Sequence, residues 1–126
     1  MKSQAASRAA YDGILMTIAV RQSGSVTIFD LEGPLKMGEA EESFTSRIEE
    51  LLGGGTKALA VNLAGVPEVD SSGIGALIRA HSAARQAGGH CKFFSAPQRV
   101  MRTLKMVRLD GILDLVKDEA AALAAF

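Results

Sequence analysis

The sequence predicts a single α/β domain, with a mixed, mostly parallel sheet of about five strands and four helices. Three observations predict this class. Short apolar runs alternate along the chain with segments of helical period. Clusters of glycine and proline separate these segments. Finally, a chain of 126 residues that is 48% hydrophobic can bury a core of its own.

The chain begins with a polar segment and a predicted hairpin. Residues 1–13 are rich in Ala and Ser and have no sustained period, so we expect a flexible N-terminal arm, with the folded domain over 14–126. Ile14 to Val20 and Val26 to Glu32 are the first two predicted strands. A Ser-Gly-Ser turn joins them, which favours antiparallel pairing.

A helix and a buried strand are predicted next. The apolar residues of the helix recur at helical spacing: Phe44, Ile48, Leu51 and Leu52. Acids near its start (Glu39, Glu41, Glu42) suit the positive end of a helix, and three consecutive glycines end it. The almost wholly apolar run Ala58 to Leu63 indicates a strand covered on both faces.

The remaining elements repeat this alternation. A second helix is predicted from Ser71 or Ser72 to Ala87, with an inner stripe of Ile74, Leu77, Ile78, His81 and Ala84. A strand from His90 to Ser95 follows. Pro97 then starts a third helix, whose apolar face is Val100, Leu104 and Val107. Ile112 to Val116 is the fifth strand, and Asp118 to Phe126 the last helix.

Composition excludes several classes of function. The formal net charge is zero, which gives no bulk reason to expect direct binding to nucleic acid or to an acidic membrane. The single cysteine, Cys91, cannot form an intrachain disulfide, which suits the cytoplasm. No apolar stretch approaches the roughly 20 residues that span a bilayer, so we expect no membrane insertion. We also expect a monomer or weak dimer.

The segment Asp70-Ser71-Ser72-Gly73 is the candidate functional site. Asp and Ser are good N-caps, so capping alone explains one or two of these residues. It explains less well two adjacent hydroxyls followed by Gly73 and Gly75, since glycine costs about 1 kcal/mol inside a helix. The serines follow a buried parallel strand, where α/β sheets meet ligands and partners. Spacing alone leaves cap and functional site equally supported.

Catalytic and cofactor sites are poorly supported. The Gly-x-Gly of Gly73 and Gly75 lacks its third glycine, because Ile78 occupies that position. His81 lies nine residues beyond Ser72 on the same helix, about 14 Å away, and His90 is expected at the opposite end of the sheet. Neither therefore serves as a base for a serine nucleophile. Two separated histidines and one cysteine predict no metal site, and we expect no cofactor.

A basic row lies on the third predicted helix. Arg99, Arg102, Lys105 and Arg108 recur every three residues. The usual interpretation is a solvated face, and the sharper alternative is a docking surface for an acidic partner or a nucleic acid. No aromatic residue interleaves with the row, which argues against single-strand binding.

The sequence resembles the STAS family, whose type members are bacterial anti-sigma factor antagonists. The likeness is carried by Val61-Asn62-Leu63-Ala64-Gly65-Val66 and by the run from Val69 through Asp70-Ser71-Ser72-Gly73 to Leu77. It extends over about residues 14–126 and implies the element order given above.

The resemblance also implies a mechanism. An anti-sigma factor with serine-kinase activity phosphorylates the first serine of the motif, here Ser71, with Ser72 as second choice. The unphosphorylated protein binds this anti-sigma factor, and a phosphoserine phosphatase resets the switch. The implied partner-binding residues are Asp70, Ser71, Ser72, Gly73 and Ile74, to which we add Lys36 as a prediction, and we expect a protein that is not an enzyme. A phosphate adds about −1.5 to −2 charges beside Asp70, which is enough to reverse a binding preference.

Two positions depart from the family pattern. Lys36 stands where an acid is common in the loop after the second strand, and Asn62 stands where the third strand often ends in Asp. As a hypothesis, Lys36 helps to hold a phosphate on Ser71. Two other functions remain open: a STAS interaction subunit of a transporter or signalling assembly without phosphorylation, and an enzyme or nucleotide-binding protein that uses the same strand-helix crevice.

Overall fold

The computed structural model of the chain describes residues 7–11 and 14–126, with side chains from residue 16 onward. Within these residues there are six strands: β1 (Ser7–Tyr11), β2 (Ile14–Ser23), β3 (Val26–Glu32), β4 (Ala58–Gly65), β5 (His90–Phe94) and β6 (Asp114–Val116). The helices are α1 (Glu39–Gly53), α2 (Ser71–Gln86), α3 (Gln98–Met106) and α4 (Glu119–Ala124), and a 3-10 helix spans Leu109–Gly111.

The strands lie side by side in chain order, β1 to β6. The pairs β1–β2 and β2–β3 are antiparallel, and β3 to β6 are parallel to one another. Successive strand residues point to opposite faces, so Phe29 packs with α1, α2 and α3, whereas Ile28 packs on the other face with Ala122 of α4. The predicted fold class, a single mixed-sheet domain with four helices, is confirmed.

The N-terminal segment differs from the predicted arm. Residues 7–11 form β1, an edge strand whose register with β2 runs from Ser7 opposite Ile18 to Tyr11 opposite Ile14. This strand raises the number of strands from about five to six. The prediction failed because the pairing satisfies the backbone groups along the free edge of β2, and this needs no apolar pattern in the added strand. The rest of the predicted arm, residues 1–6, 12 and 13, lies outside the described residues.

The inner face of α2 is rotated from the predicted stripe. Its buried residues are small apart from one leucine: Gly73, Ala76, Leu77, Ala80 and Ala84. Ile74 and Ile78 are only partly buried and pack against the edge of the core. This face consists mostly of small residues because α2 packs closely against its neighbours. Larger side chains such as Ile74 and Ile78 fit only at the sides of the helix.

Two boundaries near the C terminus also differ. α3 ends at Met106, so Val107 leaves the predicted apolar face and is 49% exposed. The 3-10 helix then occupies Leu109–Gly111, and β6 begins only at Asp114. Ile112, predicted to open the strand, is 58% exposed.

A polar network joins β2, β3 and β4 to α4. The guanidinium of Arg21 donates to the carboxylate of Asp30 at 2.6 Å and to that of Glu119 at 2.6 Å. The Nδ2 of Asn62 donates to Asp30 at 2.9 Å. Burial opposes ionisation of Asp30, but the hydrogen bonds from Arg21 and Asn62 lower its pKa. An acid at position 62 would place a second carboxylate against Asp30. The amide of Asn62 instead donates a hydrogen bond to it, which explains the departure from Asp at this position.

Candidate functional site: the carboxyl edge of β3 and β4

The site is built from two loops that leave the sheet at the same edge. β3 and β4 are parallel neighbours, so residues 33–38 and residues 66–70 emerge side by side. Leu35 and Val69 form an isolated parallel bridge. The backbone N–H of Leu35 donates to the carbonyl of Glu68 at 3.1 Å, and that of Gly33 to the carbonyl of Gly65 at 2.9 Å. The two loops therefore form one hydrogen-bonded platform in front of α2.

Asp70 ties this platform to the start of α2. Its Oδ1 accepts the backbone N–H of Gly73 at 2.8 Å, which is the N-cap interaction, and its Oδ2 accepts the N–H of Met37 at 3.0 Å. Burial opposes ionisation, but hydrogen bonds from the backbone of Met37, Gly73 and Ser72, together with the charge of Lys36, lower the pKa of Asp70. The carboxylate is therefore ionised at neutral pH.

The two serines differ in exposure. Ser71 is the first residue of α2 and is exposed, whereas Ser72 is partly buried. Within the described part of the chain, the Ser71 hydroxyl has no hydrogen-bond partner. Of the two predicted phosphoacceptors, Ser71 is therefore the one open to another protein.

The two glycines of α2 have different roles. A Cβ on Gly73 would lie 2.1 Å from the carbonyl oxygen of Leu35, so the close approach of α2 to the platform requires glycine. A Cβ on Gly75 would meet only the side chain of Arg79, at 3.5 Å. Gly75 is thus not demanded by packing. It lies one turn from Ser71 and leaves the surface beside that serine bare.

Lys36 lies near the site but has a partner of its own. Its ammonium is 3.2 Å from the carboxylate of Glu68, and the guanidinium of Arg99, on α3, is 3.5 Å from the same carboxylate. Glu68 therefore holds two cations at this edge of the sheet. All three side chains are partly exposed, so their attraction is screened by solvent.

The structure brings the predicted partner-binding residues to one edge, but not in equal roles. Gly73 is buried and positions the backbone, and Ile74 is partly buried against the core. The sequence analysis missed Met37, which is 64% exposed and follows Lys36 in the platform. The sequence did contain a signal for it: Met37 is an apolar residue in the polar loop just before Gly38, which caps α1.

The groups that other chemistries need lie elsewhere. His90 opens β5 and pairs in register with Ala58 at the start of β4, so it lies at the end of the sheet opposite Ser71. His81 and His90 share a cavity of about 230 Å³ there. Burial raises the pKa of the Cys91 thiol, which removes it as a nucleophile at neutral pH. Among the described residues, no group of three or more His, Cys, Asp or Glu could hold a metal ion.

The sequence model of the STAS domain matches residues 17–122. The chain belongs to the STAS domain family. That match includes the platform, Asp70, both serines and α3. No curated protein sequence matches the chain. Of the helices within the described ranges, none is long and apolar enough to cross a membrane.

Solved structures share the fold at low sequence identity. An anti-sigma factor antagonist from Mycobacterium paratuberculosis is 18% identical, with a TM-score of 0.75 over 87% of this chain and 92% of that one. The anti-sigma factor antagonist SpoIIAA in its unphosphorylated form is 14% identical, with a TM-score of 0.67 over 86% and 94%. Murine Solute Carrier 26 family member A9, an anion transporter, is 19% identical, with a TM-score of 0.69 over 83% of this chain but 18% of the transporter. At such identities the likeness concerns the fold of the STAS domain.

Proposed function

We propose that this STAS domain is an anti-sigma factor antagonist, a binding protein that an anti-sigma factor with serine-kinase activity switches off by phosphorylating Ser71. The observation that carries the proposal is the placement of Ser71. It is an exposed hydroxyl at the first position of a helix whose start is held by Asp70 and by Gly73 against Leu35. A rigid, exposed acceptor at a sheet edge suits both docking and phosphoryl transfer.

The binding surface consists of the exposed side chains around that hydroxyl. Met37 supplies an exposed apolar contact, and Ser71 and Gly75 leave the surface beside it low enough for a partner to approach. Buried apolar contacts carry much of the energy of protein interfaces, so Met37 is the expected anchor. Asp70, Ser72, Gly73 and Ile74 shape the surface from beneath.

Phosphate on Ser71 reverses binding by electrostatics. Asp70 already accepts the backbone N–H of Gly73 at the start of α2, so that donor is not free to bind a phosphate. A phosphate on Ser71 would instead lie beside the ionised carboxylate of Asp70. Burying two such neighbouring charges in an interface is strongly unfavourable. Lys36, whose charge already acts on Asp70, is a candidate cation for the phosphate, and Glu68 competes for it. A phosphoserine phosphatase would restore the binding form.

Intact-mass analysis tests the proposal. The protein is incubated with ATP and a candidate anti-sigma kinase, and we expect one added phosphate, lost in Ser71→Ala. Ser82→Ala is the matched control, because Ser82 is an exposed serine on the same helix. Ser71→Glu should weaken binding to the kinase about tenfold or more, with Ser82→Glu neutral. Phosphate retained in Ser71→Ala and lost in Ser72→Ala would move the acceptor to Ser72.

The likeness to the transporter supports a second function, a STAS interaction subunit without phosphorylation. It predicts that Ser71→Ala binds normally and gains or loses no modification, whereas Met37→Ser or Ile74→Ser abolishes complex formation. Phosphate incorporation at Ser71 therefore separates the two functions, since Met37 lies in the binding surface of both. Cytoplasmic location and a monomer or weak dimer remain predictions for both.

A further inference from the structure

We propose that the outer face of α3 is a second docking surface, which binds an acidic amphipathic helix of another protein. The surface, here called the α3 groove, is an open depression of about 370 Å³ between side chains of this one helix: Gln98, Met101, Arg102, Lys105 and Met106. These residues recur at helical spacing, so they form one stripe along the helix. The opposite stripe, Val100 and Leu104, is buried in the core.

The α3 groove combines apolar and basic side chains that lack partners. Met106 is 78% exposed, which is unusual for a large apolar residue on a helix that already buries its own core face. Arg102 and Lys105, and Arg108 just beyond the groove, have no ion-pair partner within the described part of the chain. Residues 98–106 contain no acid that could neutralise them internally. Flexible methionines flanked by cations suit a helix with apolar and acidic residues.

Arg108 lies just beyond the residues that line the α3 groove. It follows the C-cap of α3 and adopts the left-handed conformation, with φ 63° and ψ 28°. Glycine is the residue usually found there, because a Cβ is strained in that conformation. An arginine here costs backbone free energy that a glycine would not, and it places a third cation next to the α3 groove.

The chain itself offers no matching occupant. Outside the described ranges it holds one acid, Asp12. In a second copy, the longest acidic helix face among the described residues is that of α1, whose exposed residues are Glu39, Glu42, Ser46, Glu49, Glu50 and Gly53. That face is acidic but provides no exposed apolar side chain to contact Met101 and Met106. We therefore infer that the partner of the α3 groove is a helix of another protein with both acidic and apolar side chains.

The α3 groove is separate from the proposed switch. It begins near the platform, where Arg99 pairs with Glu68, and runs along α3 away from that edge. Its binding does not depend on the Ser71 hydroxyl. Ser71→Ala and Ser71→Glu should both leave its affinity unchanged, so failure of one proposal is distinguishable from failure of the other.

A synthetic peptide tests the groove. The probe is a helix with leucines on one face and glutamates flanking them, labelled for fluorescence anisotropy, and the control is the same composition in scrambled order. We expect the scrambled peptide to bind about tenfold more weakly. Met101→Gln with Met106→Gln, and separately Arg102→Glu with Lys105→Glu, should each weaken the helical peptide about tenfold.

Matched variants decide the interpretation. Lys57→Glu with Arg85→Glu changes the net charge equally at exposed positions outside the α3 groove and should leave affinity unchanged. Arg108→Gly should raise the unfolding midpoint while it weakens peptide binding, a combination that a purely structural role does not produce. Equal binding of both peptides, no effect of the methionine variants, or self-association abolished by the α3 variants would each overturn the proposal.

Discussion

Gly73 lies against the carbonyl oxygen of Leu35 so closely that a Cβ on the glycine would stand 2.1 Å from that oxygen. This contact sets the position of α2 relative to the loop after β3. It also explains why the first turn of α2 carries a glycine, although glycine costs about 1 kcal/mol inside a helix. The position of Ser71 on the surface therefore depends on the contact between Gly73 and Leu35, although Gly73 itself is buried and need not touch a partner.

The contact predicts opposite effects of two alanine substitutions. Gly73→Ala forces α2 away from Leu35 and should lower the free energy of unfolding by about 1–3 kcal/mol. Gly75→Ala meets only a flexible Arg79 side chain at 3.5 Å, so it should raise that free energy by about 0.5–1 kcal/mol. Urea denaturation of the two variants measures both. Equal changes in the two variants would contradict the assignment.

Gly75 gives a second prediction, on modification. A large side chain one turn from Ser71 would cover the bare surface beside the hydroxyl. Gly75→Leu should therefore slow phosphorylation of Ser71 about tenfold or more without unfolding the domain. Gly75→Ala, which adds a single methyl, should keep most of the rate. Initial rates of phosphate incorporation with a candidate kinase check this, and equal rates in both variants would exclude steric screening.

The pKa of Asp70 predicts a dependence of stability on pH. Because the folded-state pKa is lowered, the carboxylate contributes stability above its unfolded pKa of about 3.9, and this stability is lost as pH falls through the folded value. Asp70→Asn should cost about 1–2 kcal/mol at neutral pH, and this difference should shrink in acid.

Two control variants accompany the pH measurement. Asp30→Asn should show the same sign, since its pKa is also lowered, in this case by Arg21 and Asn62 against the effect of burial. Glu49→Gln, which removes one exposed carboxyl on α1, is the control for the loss of a negative charge. Unfolding midpoints measured between neutral and acid pH decide the matter. A constant gap between Asp70→Asn and the wild type would contradict the prediction.

Lys36 predicts the behaviour of a phosphate on Ser71. A nearby cation favours the dianion, so the second pKa of phosphoserine, ordinarily about 6, should be lowered in the wild type and rise in Lys36→Ala. Glu68→Gln frees Lys36 from its 3.2 Å ion pair and should lower that pKa further. Phosphorus NMR titration measures the shift. Lys57→Ala, at the far end of the sheet, is the control, and identical titrations would remove Lys36 from the switch.

Cys91 predicts a chemical difference between folded and unfolded protein. Its side chain is buried and its pKa is raised by burial, so the thiol should not react with a thiol reagent in the native state. Full reaction should appear in denaturant. Fast reaction of the native protein would show that the sheet opens near β5.

The sequence by itself determined the alternation of strands and helices, the antiparallel hairpin and the parallel units, because hydrophobic period and glycine punctuation are local signals. It also located the Asp70 cap and the adjacent serines. It did not predict β1, whose residues 7–11 have no apolar pattern and are ordered only by pairing with β2. Nor did it predict the rotation of α2, which follows from close packing of small residues.

What only the tertiary structure decided is how the site is held. The sequence left Gly73 and Gly75 equivalent, and the fold separates them, since only Gly73 meets the backbone of Leu35. It left Lys36 as an isolated departure from a family pattern, and the fold places it on Glu68 beside Arg99. These contacts join residues 31 to 38 positions apart in the chain. No local pattern encodes such contacts, because parallel strands and their crossover helices bring them together.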